Sequence, residues 1–376
     1  MAIINNAVRS YNSTMPNGPQ LPGTAGSLVA LLKACLVDGF DTRSVNSISV
    51  SGGIATATIS AGNPFAANDV IRIAGATGAL SALNGDWRLS SGAATTVTFD
   101  VGSMPDGSAT GTMTALRAPA GWVQAFSATN KAAFKSGDVT ATGKLLRLDD
   151  SAATYARVIG YETMSDVDSG TGPFPTEVQQ AGGGYWGKSS VSGATVRAWR
   201  IRADALGFEI SVQYDGTNWI TAWFGDLIRE FPTDEAAVLL TCGASATVSN
   251  MGLLPLFGAT SGHFMPRAWT QAAGAIQARK FGHPNSSAGA GYAGLDYPAP
   301  GSGLLYATPI EVWESGAVLR GVLPGLYAPI HPAAQLTDGS AEPSVSGMPG
   351  RRFVIQRTSY AGSNYAFAID TTGPWR

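Results

Sequence analysis

The sequence is poor in charge, cysteine and histidine. Charged residues make up 13% of its 376 positions, against roughly 25% in an average soluble protein, so much of the exterior must be neutral polar or apolar. The formal net charge of −2 supplies no field to draw a nucleic-acid backbone or an anionic membrane surface, and neither is expected as a partner. Cys35 and Cys242, the two cysteines, stand far apart, which excludes a disulfide framework or a cysteine-rich metal site; both read as buried thiols. His263, His283 and His331 lack the spacing of a helical metal motif and read as loop histidines. Long apolar runs are also missing. The most apolar helix candidate, SLVALLKACLVDGF, is interrupted by Lys33 and is shorter than the about 20 residues that cross a bilayer. The N-terminal stretch MAIINNAVRSYNSTMPNG has neither the basic start nor the apolar run of a secretion signal, so no export is expected.

What is present points to β structure. Hydrophobic residues make up 44% of the chain, and 47 Gly and 21 Pro are spread along it, which reads as tight turns between short strands. The expected fold class is mainly β, with several β-sandwich or barrel modules and one or two short α-helices in an α+β N-terminal domain. Leu28, Leu31, Leu32, Cys35 and Leu36 fall on one face of a helix over Thr24 to Asp38, with Thr24 or Ser27 as its cap and Gly39 at its end. From residue 47 to 118 short alternating strands follow one another: a hairpin ISVSGGIATATIS turning at Ser51, Gly52 and Gly53, then DVIRIAG, DWRLSS, TVTFDV and TGTMTAL, with turn chemistry at Asn84-Gly85. This spacing predicts a small β-sandwich or barrel inserted into a discontinuous first domain, residues 1–46 plus 119–190.

Within that domain APAGWVQAFSATNKAAFKSGDV suggests a short helical stretch, KLLRLDDSAATYARVIGYE a hairpin, and DSGTGPFPTEVQQAGGGYWGKSSV a turn-rich linker. Residues 191–376 read as a larger β domain, with three strands across RAWRIRADALGFEISVQYDGTNWITAWFGDLI, a fourth in EAAVLLTCGA, long loops over roughly 243–301, and strands in LLYATPIEVWE, AVLRGVLPGLY, RRFVIQRTSY and YAFAIDTTGPWR.

Catalytic fingerprints are missing. The glycine runs SGG, AGGGYWG and AGAGYAG lack a Lys-Ser/Thr partner and a strand-to-helix context, so neither a phosphate loop nor a nucleophile elbow is present. No enzyme activity, catalytic residue or cofactor is expected. Asp149, Asp150, Glu162, Asp166 and Asp168 form the only local acid cluster, and DVDSG opens like a calcium loop but lacks the downstream Glu, so solvated turn acids are the default and no metal is assigned. RAWRIR places Arg200 and Arg202 on one strand face. Together with Arg351, Arg352, Trp219, Trp223 and Trp375 they are the candidates for subunit contacts, as edge-protecting charges and aromatic anchors. The tryptophans also suit a sugar platform.

Two groups of motifs carry a resemblance. GGIATATISAGNPFAANDVIRIAGA, followed by LNGDWRL, TVTFDV and ATGTMTA, resembles a small β module that recurs in structural proteins of tailed bacteriophages, with Asn68-Asp69 where Gly-Asp is commoner. The remainder, with GTAGSLVALLKACLVDGF, APAGWVQAF, LLRLDDSAATYARVIGYE, GGGYWGKSS, FGDLI, LRGVLPGLY and TTGPWR in order, is similar to virion proteins of tailed phages and prophages. The resemblance implies a structural virion subunit, assembled in the host cytoplasm with copies of itself and other virion proteins. A tail position (tube, tip or baseplate) is the first expectation, and a capsid decoration or minor head protein the alternative. A receptor-binding or carbohydrate-active tail-tip protein that meets host surface glycan is the alternative of another class.

Overall fold

A computed structural model describes residues 7–247, 262–272, 274–281, 295–314, 318–342, 344–360 and 363–376. Of the described residues 50% are strand and 6% helical, so β pairing carries the architecture. The strands form a thirteen-stranded sheet, an eight-stranded sheet, a six-stranded sheet and one two-stranded ribbon. His283, the glycine run AGAGYAG and about half of the stretch 243–301 lie outside the described residues, and where long loops are expected the described part supplies two strands, His263–Met265 and Ile276–Phe281.

The helix forms on the expected face but with a different start and a different cap. It runs as an α-helix over Ser27–Lys33 and continues as a π-helical segment over Ala34–Asp38. Leu28, Leu31, Leu32, Cys35 and Leu36 are all fully buried. Neither Thr24 nor Ser27 caps it. Ser27 Oγ lies 2.8 Å from the carbonyl of Pro22 and 2.9 Å from that of Thr24, while Asp150 Oδ2 accepts the N–H groups of Leu28 and Val29 at 2.7 and 3.2 Å. Gly39, at φ +76°, ends the helix.

The eight-stranded sheet takes in Phe40–Val45, Ser47–Ser51, Ile54–Thr58, Val70–Ala74, Gly85–Gly92, Thr96–Asp100, Gly107–Ser108 and Met113–Arg117. It therefore includes one strand that precedes residue 47. Ser47–Ser51 and Ile54–Thr58 pair in register from Ser47↔Thr58 to Ser51↔Ile54. Gly52 and Gly53 turn the chain at φ +57° and +80°, the positive values a two-residue hairpin loop needs. Asn84 is not a hairpin turn residue. It follows a 3₁₀ helix over Gly78–Leu83 and closes a loop by bonding both the N–H and the carbonyl of Ala76. Ile71, Ile73, Leu89, Val97 and Phe99 belong to a core that this sheet encloses, with Trp87 stacked on Phe99 at 5.4 Å.

The six-stranded sheet departs from the sequence reading at two places. The expected helical stretch is a hairpin, Trp122–Ala128 paired with Lys131–Ser136 through Asn130 at φ +58°. The expected linker supplies two strands, Ser169–Phe174 and Gly184–Gly187, both paired with Tyr155–Asp166. The hairpin Leu145–Asp149 with Tyr155–Asp166 forms as expected.

In the thirteen-stranded sheet the N-terminal strand Arg9–Asn12 pairs with Trp199–Ala203, followed by Gly207–Gln213, Trp219–Asp226 and Val238–Thr241. The far end holds Ala307–Glu314, Val318–Pro329, Ser363–Asp370 and Phe353–Tyr360. The sheet curls until Thr358 Oγ1 donates to the carbonyl of Trp219 at 3.1 Å. The largest core joins Tyr11 and the helix to Trp122, Phe134, Val158 and Trp186 and on to Trp199, Phe208 and Phe264, so packing continues across residue 190. Burial of this apolar area, at about 25 cal/mol per Å², binds the six- and thirteen-stranded sheets together.

Candidate functional site

Three parts of the chain meet at a cleft of about 450 Å³. One wall is the N-terminal strand and its continuation, Ser10 to Met15. A second is the loop Ala67 to Asp69 of the eight-stranded sheet. The third is the curled sheet, with Arg200, Arg202, Trp219, Arg352 and Val354. Four of the seven residues singled out from the sequence therefore line one concavity.

Period-two alternation places Arg200 and Arg202 on the same face of Trp199–Ala203, and the sheet's curl brings Gln356 opposite them. Gln356 Oε1 accepts from Arg200 Nη1 at 3.0 Å and from Arg202 Nη1 at 2.9 Å. The Arg200 guanidinium lies 4.2 Å over the Trp219 ring and pairs with Asp338 at 2.8 Å. Arg202 pairs with Glu209 at 3.3 Å. Glu209 is fully buried; burial pushes its carboxyl above the ordinary value, and the Arg202 charge opposes that rise. Arg202 is 5% exposed, and its hydrogen bonds to Glu209 and Gln356 both leave from Nη1. Arg352 is exposed, and among the described residues its guanidinium makes no hydrogen bond or ion pair.

The remaining candidates are used inside the chain. Trp223 is fully buried and lies 6.0 Å from Trp375, which is itself buried and donates its indole N–H to the carbonyl of Asp370. Both belong to the core under the far end of the large sheet, so neither is available to a neighbour. Arg351 ties that end down through Asp370 and the carbonyl of Pro374. The Arg202 side chain likewise sits at the cleft floor and not on an outer face.

Chemically the cleft combines arginine donors with the hydroxyls of Ser10, Ser13, Thr14 and Thr371. Its one carboxylate wall residue, Asp69, is held by Arg117 at 2.6 Å, and Tyr11 donates its hydroxyl to the carbonyl of Ala118. The acid cluster lies elsewhere and is dispersed. Asp149 and Asp168 straddle Lys131 and Arg147, which hold the Asp168 carboxyl below its ordinary value. Asp166 Oδ1 accepts the N–H of Asp168, Glu162 grips Arg267, and Asp150 is fully buried against Lys188. Among the described residues no group of three or more His, Cys, Asp or Glu is placed to hold a metal ion, and no helix is long and apolar enough to cross a membrane. His331 is buried, its Nε2 accepting the N–H of Tyr306 and its Nδ1 facing the carbonyl of Leu295; His263 is buried within His263–Met265.

Sequence reasoning missed Gln356 and Asp338, which organise the arginines from more than 130 positions away; a polar residue in the otherwise apolar FVIQ run was the available signal. No family model matches the chain, and no curated protein does.

Proposed function

We propose that the chain is a non-enzymatic structural subunit of a tailed-bacteriophage particle, placed in the tail and assembling with copies of itself through open sheet edges. The observation that carries this reading is the state of those edges. Natural sheets blunt an exposed edge with charge, proline or brevity. Of the eight strands that end the four sheets, six do so or are otherwise occupied: Phe40–Val45 carries Asp41 and Arg43, Ser169–Phe174 carries Pro173, Ala341–Glu342, Gly107–Ser108 and Pro22–Gly23 are two residues each, and Arg9–Asn12 carries Arg9. Two do not. Trp122–Ala128, WVQAFSA, has no charge or proline over seven residues and exposes Val123; its one protective device is a bulge between Gln124 and Phe126. Gly193–Val196, GATV, is exposed throughout, Val196 at its end included, with exposed Val191 just before it.

The resemblance of residues 47–118 and of the flanking motifs to tailed-phage virion proteins supports the particle, and the 13% charge supports a surface that is covered after assembly. The expected result is that peptides of this chain recur in many copies in purified particles analysed by quantitative mass spectrometry. Particles that lack it contradict the proposal.

A second reading is favoured by the cleft, whose arginine donors and Trp219 suit a hydroxyl-rich acidic ligand. In that reading the chain contacts host surface glycan. A panel of host polysaccharides, with R352A as control, tests it: binding weakened by R352A supports it, and the absence of binding removes it.

A further inference from the structure

The interior holds an amine and a carboxyl group whose surroundings suit an amide better than an ion pair. Lys188 and Asp150 are both fully buried and in direct contact through Nζ and Oδ1. Nζ also donates to the carbonyl of Thr24 at 2.6 Å. Asp150 Oδ2 accepts two backbone N–H groups, from Leu28 at 2.7 Å and Val29 at 3.2 Å. An ammonium carries three donors, and among the described residues the third proton on Nζ has no acceptor. An amide between the two side chains leaves one N–H, which the Thr24 carbonyl accepts, and one carbonyl oxygen, which the Leu28 and Val29 N–H groups satisfy. Every polar group is then matched and no charge remains buried, which removes the desolvation cost of two ions.

We propose that Lys188 and Asp150 condense without added reagents into an intramolecular isopeptide bond. The Nζ lone pair attacks Cγ of Asp150 and a C–N bond forms. The negative charge that develops on Oδ2 is held by the Leu28 and Val29 N–H groups, which are placed as an oxyanion hole. The Cγ–Oδ1 bond then breaks, and Oδ1 leaves as water with two of the three ammonium protons. The balance is carboxylate plus ammonium giving amide plus water, so no oxidant or co-reactant is needed. Burial acts in the required direction on both groups, pushing the Asp150 carboxyl up and the Lys188 amine down, toward the neutral forms that react. Among the described residues no other charged side chain acts on the pair. The bond closes residues 151–187 into a loop and fixes the carboxyl that caps the helix. It is independent of the assembly reading, since it forms within one chain.

The test is the intact mass of the denatured full-length protein, followed by tryptic mapping. The expected mass is one water below the sequence value, with a branched peptide joining the Asp150 and Lys188 segments and no cleavage after Lys188. K188R restores the full mass. A wild-type mass at the sequence value with cleavage after Lys188 overturns the proposal. So does a water loss that maps to a succinimide at an Asp-Gly pair such as Asp106-Gly107.

Discussion

Cys35 and Cys242 show how a side chain's surroundings decide its chemistry. Both are fully buried. Burial pushes the Cys242 thiol up to about 12 and the Cys35 thiol well above its ordinary value. Because the thiolate is the reactive form, iodoacetamide at about pH 8, near the reference thiol pKa, is expected to label neither cysteine in the folded protein and both after unfolding in denaturant. Rapid labelling of the native chain, read by mass, contradicts this placement. At this scale the sequence supports some readings and not others. Apolar spacing is enough to bury Cys35 on the helix face. Alternation is enough to put Arg200 and Arg202 side by side, but their acceptor Gln356 arrives from another strand only after the sheet curls. The helix cap follows the same rule: Thr24 and Ser27 are local candidates, whereas Asp150, 122 positions from Leu28, does the capping.

Among the elements, hairpins whose turns need positive φ are the most legible, because few residues tolerate that backbone. Gly52 and Gly53 both adopt it, yet their surroundings differ: a Cβ at Gly52 meets nothing within 4 Å, whereas one at Gly53 comes within 2.6 Å of the Gly102 carbonyl. G52A is expected to cost about 1–2 kcal/mol, the penalty of a left-handed L-residue, and G53A clearly more. Urea denaturation of the two variants checks the order, and equal losses contradict it. The hairpin Trp122–Ser136 escapes sequence reading because Ala132, Ala133 and Phe134 are buried at consecutive positions, which erases alternation, and because Lys-Ala-Ala is helix-friendly on local propensity. The stretch 169–187 reads as a linker because its glycines look like turn residues. Gly170 and Gly184 instead leave room for close packing: a Cβ would meet the Tyr161 ring at 2.5 Å and Cys242 Sγ at 2.1 Å. Glycine for close approach and glycine for a turn are indistinguishable in one sequence.

For the whole molecule, the mainly β class is legible from composition and strand spacing, and the way the sheets share cores is not. Tyr11, the helix, the six-stranded sheet and Trp199 to Phe264 pack together, a long-range union that local pattern does not encode. The edges matter most at this scale. A sheet with unpaired N–H and C=O groups along a charge-free strand is a template for another strand, and Trp122–Ala128 and Gly193–Val196 are two such strands at the ends of their sheets. A lysine on each supplies the missing protection without entering a core, since Val123 and Val196 are 42% and 47% exposed. The most direct measurement is sedimentation velocity over a concentration series, comparing wild type with the double variant V123K/V196K. The wild type is expected to shift to larger species as concentration rises, while the variant stays a single chain with an unchanged circular dichroism melting curve. A wild type that remains monomeric throughout, or a variant that assembles equally well, contradicts it.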